Sequence, residues 1–154
     1  MLENCHSLQE KWGGVSEIID RWLEQRRLML VKYCDLSTVT SFDGKNQEHG
    51  KKLQHFCQLL VDYVSAGHFE VYHQLAEEGR AFRDREGLKL GAQMLEAIQT
   101  STDLVLDFND KYLETDDLQS LATDLSELGE TLARRFELED NMIEVLHTTH
   151  INQL

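Results

Sequence analysis

No proline occurs in the 154 residues, where average usage near 5% would supply roughly eight. A chain without proline can run long helices but has few rigid turns, which favours an all-helical fold. Cysteine is nearly as scarce. Cys5, Cys34 and Cys57 lie 29 and 23 residues apart, with no C-x-x-C spacing. That indicates neither a disulfide framework nor a zinc knuckle, and ordinary thiols of a reducing compartment are expected. Basic residues are also in deficit: 15 Lys plus Arg against 28 Asp plus Glu leave a net charge of −13. A nucleic-acid binder needs a basic face for phosphate contacts, so direct nucleic-acid binding is not expected. No apolar run reaches the ~18 residues that would cross a membrane. The start, Met1-Leu2-Glu3-Asn4-Cys5, lacks the basic and apolar parts of a secretory leader, so a cytoplasmic protein is expected. What is present is globular in kind, with 41% hydrophobic and 28% charged residues. No internal repeat or low-complexity tract is visible, and residues 1–154 read as a single domain.

Apolar residues recur at helical spacing almost throughout. A first helical region over about Leu2–Leu36, interrupted at Gly13-Gly14, carries Val15, Ile18, Ile19, Trp22, Met29, Leu30, Tyr33 and Leu36 inward. The polar stretch 37–44 reads as a loop. A second helix over about Gln47–Glu78 turns Leu53, Phe56, Leu60, Val64, Val71 and Leu75 inward, with Gly67 bending or breaking it. A third covers about Leu88–Leu113, with Met94, Leu95, Ile98, Val105 and Tyr112 inward. Thr115-Asp116-Asp117 is a plausible cap for a fourth, which carries Leu118, Leu121, Leu125, Leu128, Leu132, Phe136, Ile143 and Leu146. Long amphipathic helices joined by short loops predict an antiparallel, up-down-up-down four-helix bundle without strands.

Some residues contradict their own stripe. At 100° per residue, Asp62, Ser65 and Phe69 fall opposite the stripe of Leu60, Val64 and Val71. Either Gly67 breaks the helix and lets Phe69 turn inward, or these residues form a contact face with an aromatic and a carboxylate, suited to a protein partner. Arg26 lies in line with Trp22, Met29 and Tyr33, and Glu139 with Phe136, Ile143 and Leu146. A buried charge is costly unless paired, so these two either pair with each other or snorkel to water.

Two Glu-x-x-His pairs, Glu70/His73 and Glu144/His147, sit near the ends of the second and fourth helices. Di-iron bundle enzymes use that motif on two helices, and Glu17 or Glu24, together with Glu96, could supply the carboxylates of the other two. With 16 Glu and 7 His in the chain, chance alone supplies about 0.7 such pairs at the spacing that the motif requires. Both glutamates also lie some 100° from their core stripes, so surface residues are the stronger expectation and no metal or cofactor is assigned. No G-x-S-x-G, glycine-rich phosphate loop or H-E-x-x-H appears, and no catalytic residues are named.

Three segments together resemble the Rsd/AlgQ family of bacterial regulators that bind the primary sigma factor of RNA polymerase. The first is Asp20-Arg21-Trp22-Leu23 with Arg26, Leu28, Leu30-Val31 and Tyr33. The second is Phe56-Cys57-Gln58-x-Leu60-Val61-Asp62-Tyr63-x-Ser65-Ala66-Gly67-His68-Phe69. The third is Arg135-Phe136-x-Leu138-Glu139-Asp140. Residues from about Glu77 to Asp117 match only in helical character. The resemblance implies a helical anti-sigma factor, not an enzyme, that holds sigma away from core polymerase chiefly through its C-terminal, promoter-reading domain. It further implies that Asp62, Ser65 and Phe69 line a pocket in the bundle, and that Asp20, Arg21, Trp22 and Arg26 belong to the sigma-facing side. Charge agrees: that domain is a helix-turn-helix module with a basic DNA-reading face, complementary to an acidic bundle.

Overall fold

The computed structural model describes residues 2–39 and 41–154, with side chains from His6 onward. The expectation for the Cys5 thiol falls on a side chain that is not described, and Met1 and Thr40 of the loop lie outside the described residues. Among the described residues there is no strand, and no helix is long and apolar enough to cross a membrane. The fold is all-helical.

Helix α1 (Leu2–Ser37) runs on without the interruption expected at Gly13-Gly14. Each glycine costs a helix about 1 kcal/mol but does not stop it. Anchors on either side outweigh that cost. Val15 is buried, and Trp12 stacks on His147 at 4.5 Å while its indole N–H donates to the His147 carbonyl at 3.0 Å.

Asn46 caps α2 (Gln47–Ala66) by accepting from the Glu48 amide. At Gly67 the helix widens into a π-turn without ending. Gly67–Val71 forms a π-turn in which the Tyr72 amide donates to the Gly67 carbonyl, and α3 (Tyr72–Ala81) continues the path. A Cβ at position 67 would stand 3.0 Å from the Tyr72 hydroxyl and 3.1 Å from the Trp22 ring. A side chain there would crowd both rings, and glycine leaves them room.

Arg83, in the left-handed region at φ 56°, reverses the chain. Asp84 then caps α4 (Arg85–Glu114), its carboxylate accepting from the Gly87 amide at 2.8 Å. That cap starts the helix before the expected Leu88. The cap expected at Thr115-Asp116-Asp117 is corrected. The Thr115 hydroxyl accepts from the Asp117 amide at 3.1 Å and the Asp117 carboxylate from the Gln119 amide at 3.0 Å, which shapes a loop. Helix α5 (Leu121–Leu146) begins only after it, and a 3-10 segment, Thr148–Gln153, follows.

The core is the predicted one in most positions. Val15, Ile19, Trp22, Met29 and Leu36 of α1 meet Leu53, Phe56, Leu60 and Val64 of α2, Ile98 and Val105 of α4, and Leu121, Leu125, Leu128 and Leu132 of α5. Each such side chain contributes about 1.5–3 kcal/mol on leaving water. Phe108 and Met142, absent from the predicted stripes, are buried too, Phe108 edge-to-face with Phe56 at 6.2 Å.

Candidate functional site

Helix α1, the end of α2 and the π-turn meet along one seam. Phe69, inside the π-turn, has 79% of its surface exposed and lies edge-to-face with His68 at 4.8 Å. Gly67 therefore does not turn it inward, because the π-turn carries the helical path on and leaves Phe69 on the side away from the core stripe. The pocket implied for Phe69 is corrected on the same ground, since the ring stands clear of the bundle. Asp62 is exposed and accepts from the side-chain Nε2 of Gln58 at 2.9 Å, and Ser65, half-buried, lies between them and Phe69 in sequence. Across the seam Asp20 and Arg21 are exposed, and the Arg21 guanidinium reaches the Glu70 carboxylate at 3.5 Å. An exposed pair of that kind stabilises by at most about 1 kcal/mol. Ile18, Arg21 and Gln25 of α1 and Ala66 and Glu70 opposite enclose a shallow recess of about 310 Å³.

Trp22 is corrected as a candidate contact. It is 1% exposed, its indole N–H donates to the Tyr63 carbonyl at 3.1 Å, and its ring stacks on Tyr63 at 4.8 Å and meets Tyr72 edge-on at 5.8 Å. It belongs to the α1 core stripe and supports the seam from beneath. Arg26 is mostly buried at 12% side-chain exposure. Its guanidinium donates to the Tyr63 hydroxyl at 3.0 Å and the Asp140 carboxylate at 2.7 Å, and packs over the Phe136 ring at 4.5 Å.

Beneath Arg26 lies a buried polar network. Glu139, fully buried, faces Arg26 at 3.6 Å and Arg135 at 3.5 Å, so of pairing and snorkelling it is the Arg26–Glu139 pairing that is found. The hydroxyls of Tyr63 and Tyr72 donate to its oxygens at 2.6 and 2.5 Å. Arg135, itself buried, donates on to Tyr72 at 3.1 Å, Ser101 at 3.0 Å and Thr102 at 2.7 Å. Arg26 and Arg135 balance Glu139 and Asp140 in charge. Burial lifts the Glu139 carboxyl above the usual carboxylate range, against the pull of Arg135, the two tyrosines and Arg26. Burial and the adjacent Glu139 charge likewise push both tyrosine hydroxyls up, so they stay protonated donors. The periodicity marks Arg135 too: Leu128, Leu132, Arg135, Glu139, Met142 and Leu146 recur at alternating four- and three-residue steps.

A second buried cluster was not foreseen. Glu78 accepts His147 Nδ1 at 2.5 Å and His150 Nδ1 at 2.6 Å, and the other face of His150 reaches Asp84 at 2.8 Å. Phe82 stacks on the His150 ring at 4.4 Å, fastening the 3-10 segment to the α3–α4 turn. Glu78 follows Leu75 at helical spacing, a usable signal; the histidines lie beyond the last α-helical turn, where periodicity gives none. The di-iron alternative finds no ligand set. Glu70, His73 and Glu144 are exposed, as are Glu17, Glu24 and Glu96, while His147 turns to Glu78. Among the described residues no group of three or more His, Cys, Asp or Glu is arranged to hold a metal ion. Cys34 is an exposed free thiol, and burial pushes the Cys57 thiol up to about 11, away from the reactive thiolate.

The sequence matches the family model described as regulator of RNA polymerase sigma(70) subunit, Rsd/AlgQ, over residues 1–147. It is 37% identical over 152 residues to the regulator of sigma D of Pectobacterium carotovorum, covering 96% of this chain and 99% of that one. To the regulator of sigma D of Yersinia pseudotuberculosis it is 34% identical over 152 residues, covering 94% and 88%. The Yersinia enterocolitica protein of the same name is 33% identical over 149 residues. With the match spanning the π-turn, the seam and the buried network alike, this chain belongs to the Rsd/AlgQ family of sigma(70) regulators.

Proposed function

We propose that this protein is an anti-sigma factor that binds the primary sigma factor one-to-one in the cytoplasm and keeps it from core RNA polymerase. The observation that carries the reading is the family match over residues 1–147. Binding is chiefly to the C-terminal, promoter-reading domain of sigma, whose basic helix-turn-helix surface complements a chain of net charge −13. The contact surface is the α1/α2 seam, with Phe69 as the apolar anchor and Asp62, Ser65, Asp20 and Arg21 around it. An aromatic 79% exposed, on a helix face that also carries the exposed carboxylate of Asp62, is poorly placed for folding and well placed for a partner. Trp22 and Arg26 act from below, holding α1 against α2 through Tyr63. No chemistry, cofactor or direct contact with nucleic acid is part of this reading.

The chain acts as one domain whose helices alternate in direction around the bundle, α2 and α3 counting as one rod. Contacts between α1 and α5 support that order. Position 12 meets 147, 26 meets 140 and 33 meets 125, so one helix rises as the other falls. The direct experiment is capture of sigma from extract, probed separately for sigma and core subunits, followed by titration of purified sigma. Binding to free sigma that weakens steeply with salt is expected. Binding that requires core polymerase, or affinity unchanged between low and high salt, would contradict the mechanism.

A further inference from the structure

Helices α4 and α5 enclose a groove of about 350 Å³ that shares no residue with the α1/α2 seam. Its apolar members are Leu104, Phe108 and Leu128, and Leu104 is 54% exposed although it is a large aliphatic side chain. Asp107, Glu127 and Glu130 stand along the rim, all exposed. The cations nearby do not cancel them. Lys111 is held by Asp124 at 2.7 Å, which leaves Arg134 against three carboxylates. Leu104, Asp107, Phe108 and Lys111 follow at i, i+3, i+4 and i+7, so the groove extends along about two helical turns, or about 10 Å. Phe108 and Leu128 close its floor from the core and Leu104 stands exposed over them, so an apolar contact between acidic rims is the complement of a helix presenting large apolar side chains with lysines or arginines beside them.

We propose that this groove is a second protein-docking site, and that its occupant is a basic amphipathic helix of a partner protein. A second copy of this chain is disfavoured as occupant, because closing one such groove on another brings the carboxylates together. The site is independent of the α1/α2 reading and leaves that seam free, so both faces can be occupied at once.

The test uses the whole protein, isotopically labelled, and a short synthetic helix of leucine and lysine. A control peptide carries glutamine in place of each lysine. Saturable chemical-shift changes confined to the groove are expected with the lysine peptide and not with the control. Leu104→Lys should weaken binding tenfold or more, and Glu127→Gln with Glu130→Gln several-fold, with the amide spectrum elsewhere unchanged because all three side chains are exposed. Phe69→Ala should leave this binding intact, which separates the inference from the function proposed above. Shifts centred on the α1/α2 seam, non-saturating shifts spread over the acidic surface, or unchanged affinity of Leu104→Lys would overturn it. So would concentration-dependent dimerisation of the wild type that Leu104→Lys abolishes, since the occupant would then be a second copy.

Discussion

Replacing Glu139 by alanine removes the carboxylate on which Arg26, Arg135, Tyr63 and Tyr72 converge. Arg135 is 1% exposed and keeps only neutral partners when Glu139 is gone, so its charge remains buried without a counter-ion. Arg26 retains Asp140 at 2.7 Å and suffers less. Breaking a buried pair from one side costs about 3–5 kcal/mol, because the stranded charge stays desolvated. At about 2–4 °C per kcal/mol for a chain of this size, the melting temperature should fall by roughly 6–20 °C. Urea unfolding followed by circular dichroism reads the same loss as a lower midpoint at unchanged slope. Arg27→Ala, which breaks only the exposed pair with Glu24, serves as control and should leave the urea midpoint essentially where it is in the wild type. A further variant tests the cause: Glu139→Leu together with Arg135→Met should cost less than Glu139→Leu alone, since no charge is then stranded. A Glu139→Ala loss under about 1 kcal/mol, or a double variant worse than the single, would refute the reasoning.

Gly13→Ala and Gly14→Ala should each stabilise by about 1 kcal/mol in urea unfolding, because a Cβ at either site meets nothing within 4 Å and the helix gains propensity. Asp84 supplies a pH signature. Burial works upward on its carboxyl, but the Gly87 amide and His150 outweigh it and hold it below the usual range. Its contribution is therefore full above the unfolded value near 3.9 and lost as pH falls through the lower folded value. Asp84→Asn should flatten the urea midpoint against pH over that acidic window, and an acidic slope identical to that of the wild type would refute it.

The helices were legible because each long rod buries one stripe, and a 3.6-residue period survives whatever packs against it. The second helix shows this best, with every predicted inward residue from Leu53 to Leu75 buried. Gly13-Gly14 misled, because local propensity is weak against the Trp12 and Val15 anchors, whose partners are distant in sequence. Thr115 and Asp117 misled for another reason: short oxygens serve caps and turns alike, and only the loop's geometry decides. At the seam, rotation offered the outward position of Phe69 as one of two outcomes, and the π-turn decided it, whereas Trp22 entered the candidate contacts by resemblance although its own stripe placed it inside. The Arg26–Glu139 pairing was one of two open outcomes. The phenols that complete it and the Glu78–His150–Asp84 cluster join elements more than 60 residues apart, a relation no local pattern encodes.

Calorimetric titration of free primary sigma factor with wild-type protein and with Phe69→Ala, at one temperature and salt, tests the central claim most directly. The account predicts one-to-one binding by the wild type and a loss of about 2 kcal/mol or more for the variant, roughly thirtyfold in Kd. The variant's melting temperature should be unchanged, because a side chain 79% exposed contributes little to the core. Sigma bound equally tightly by Phe69→Ala, or not bound by the wild type without core polymerase, would contradict it.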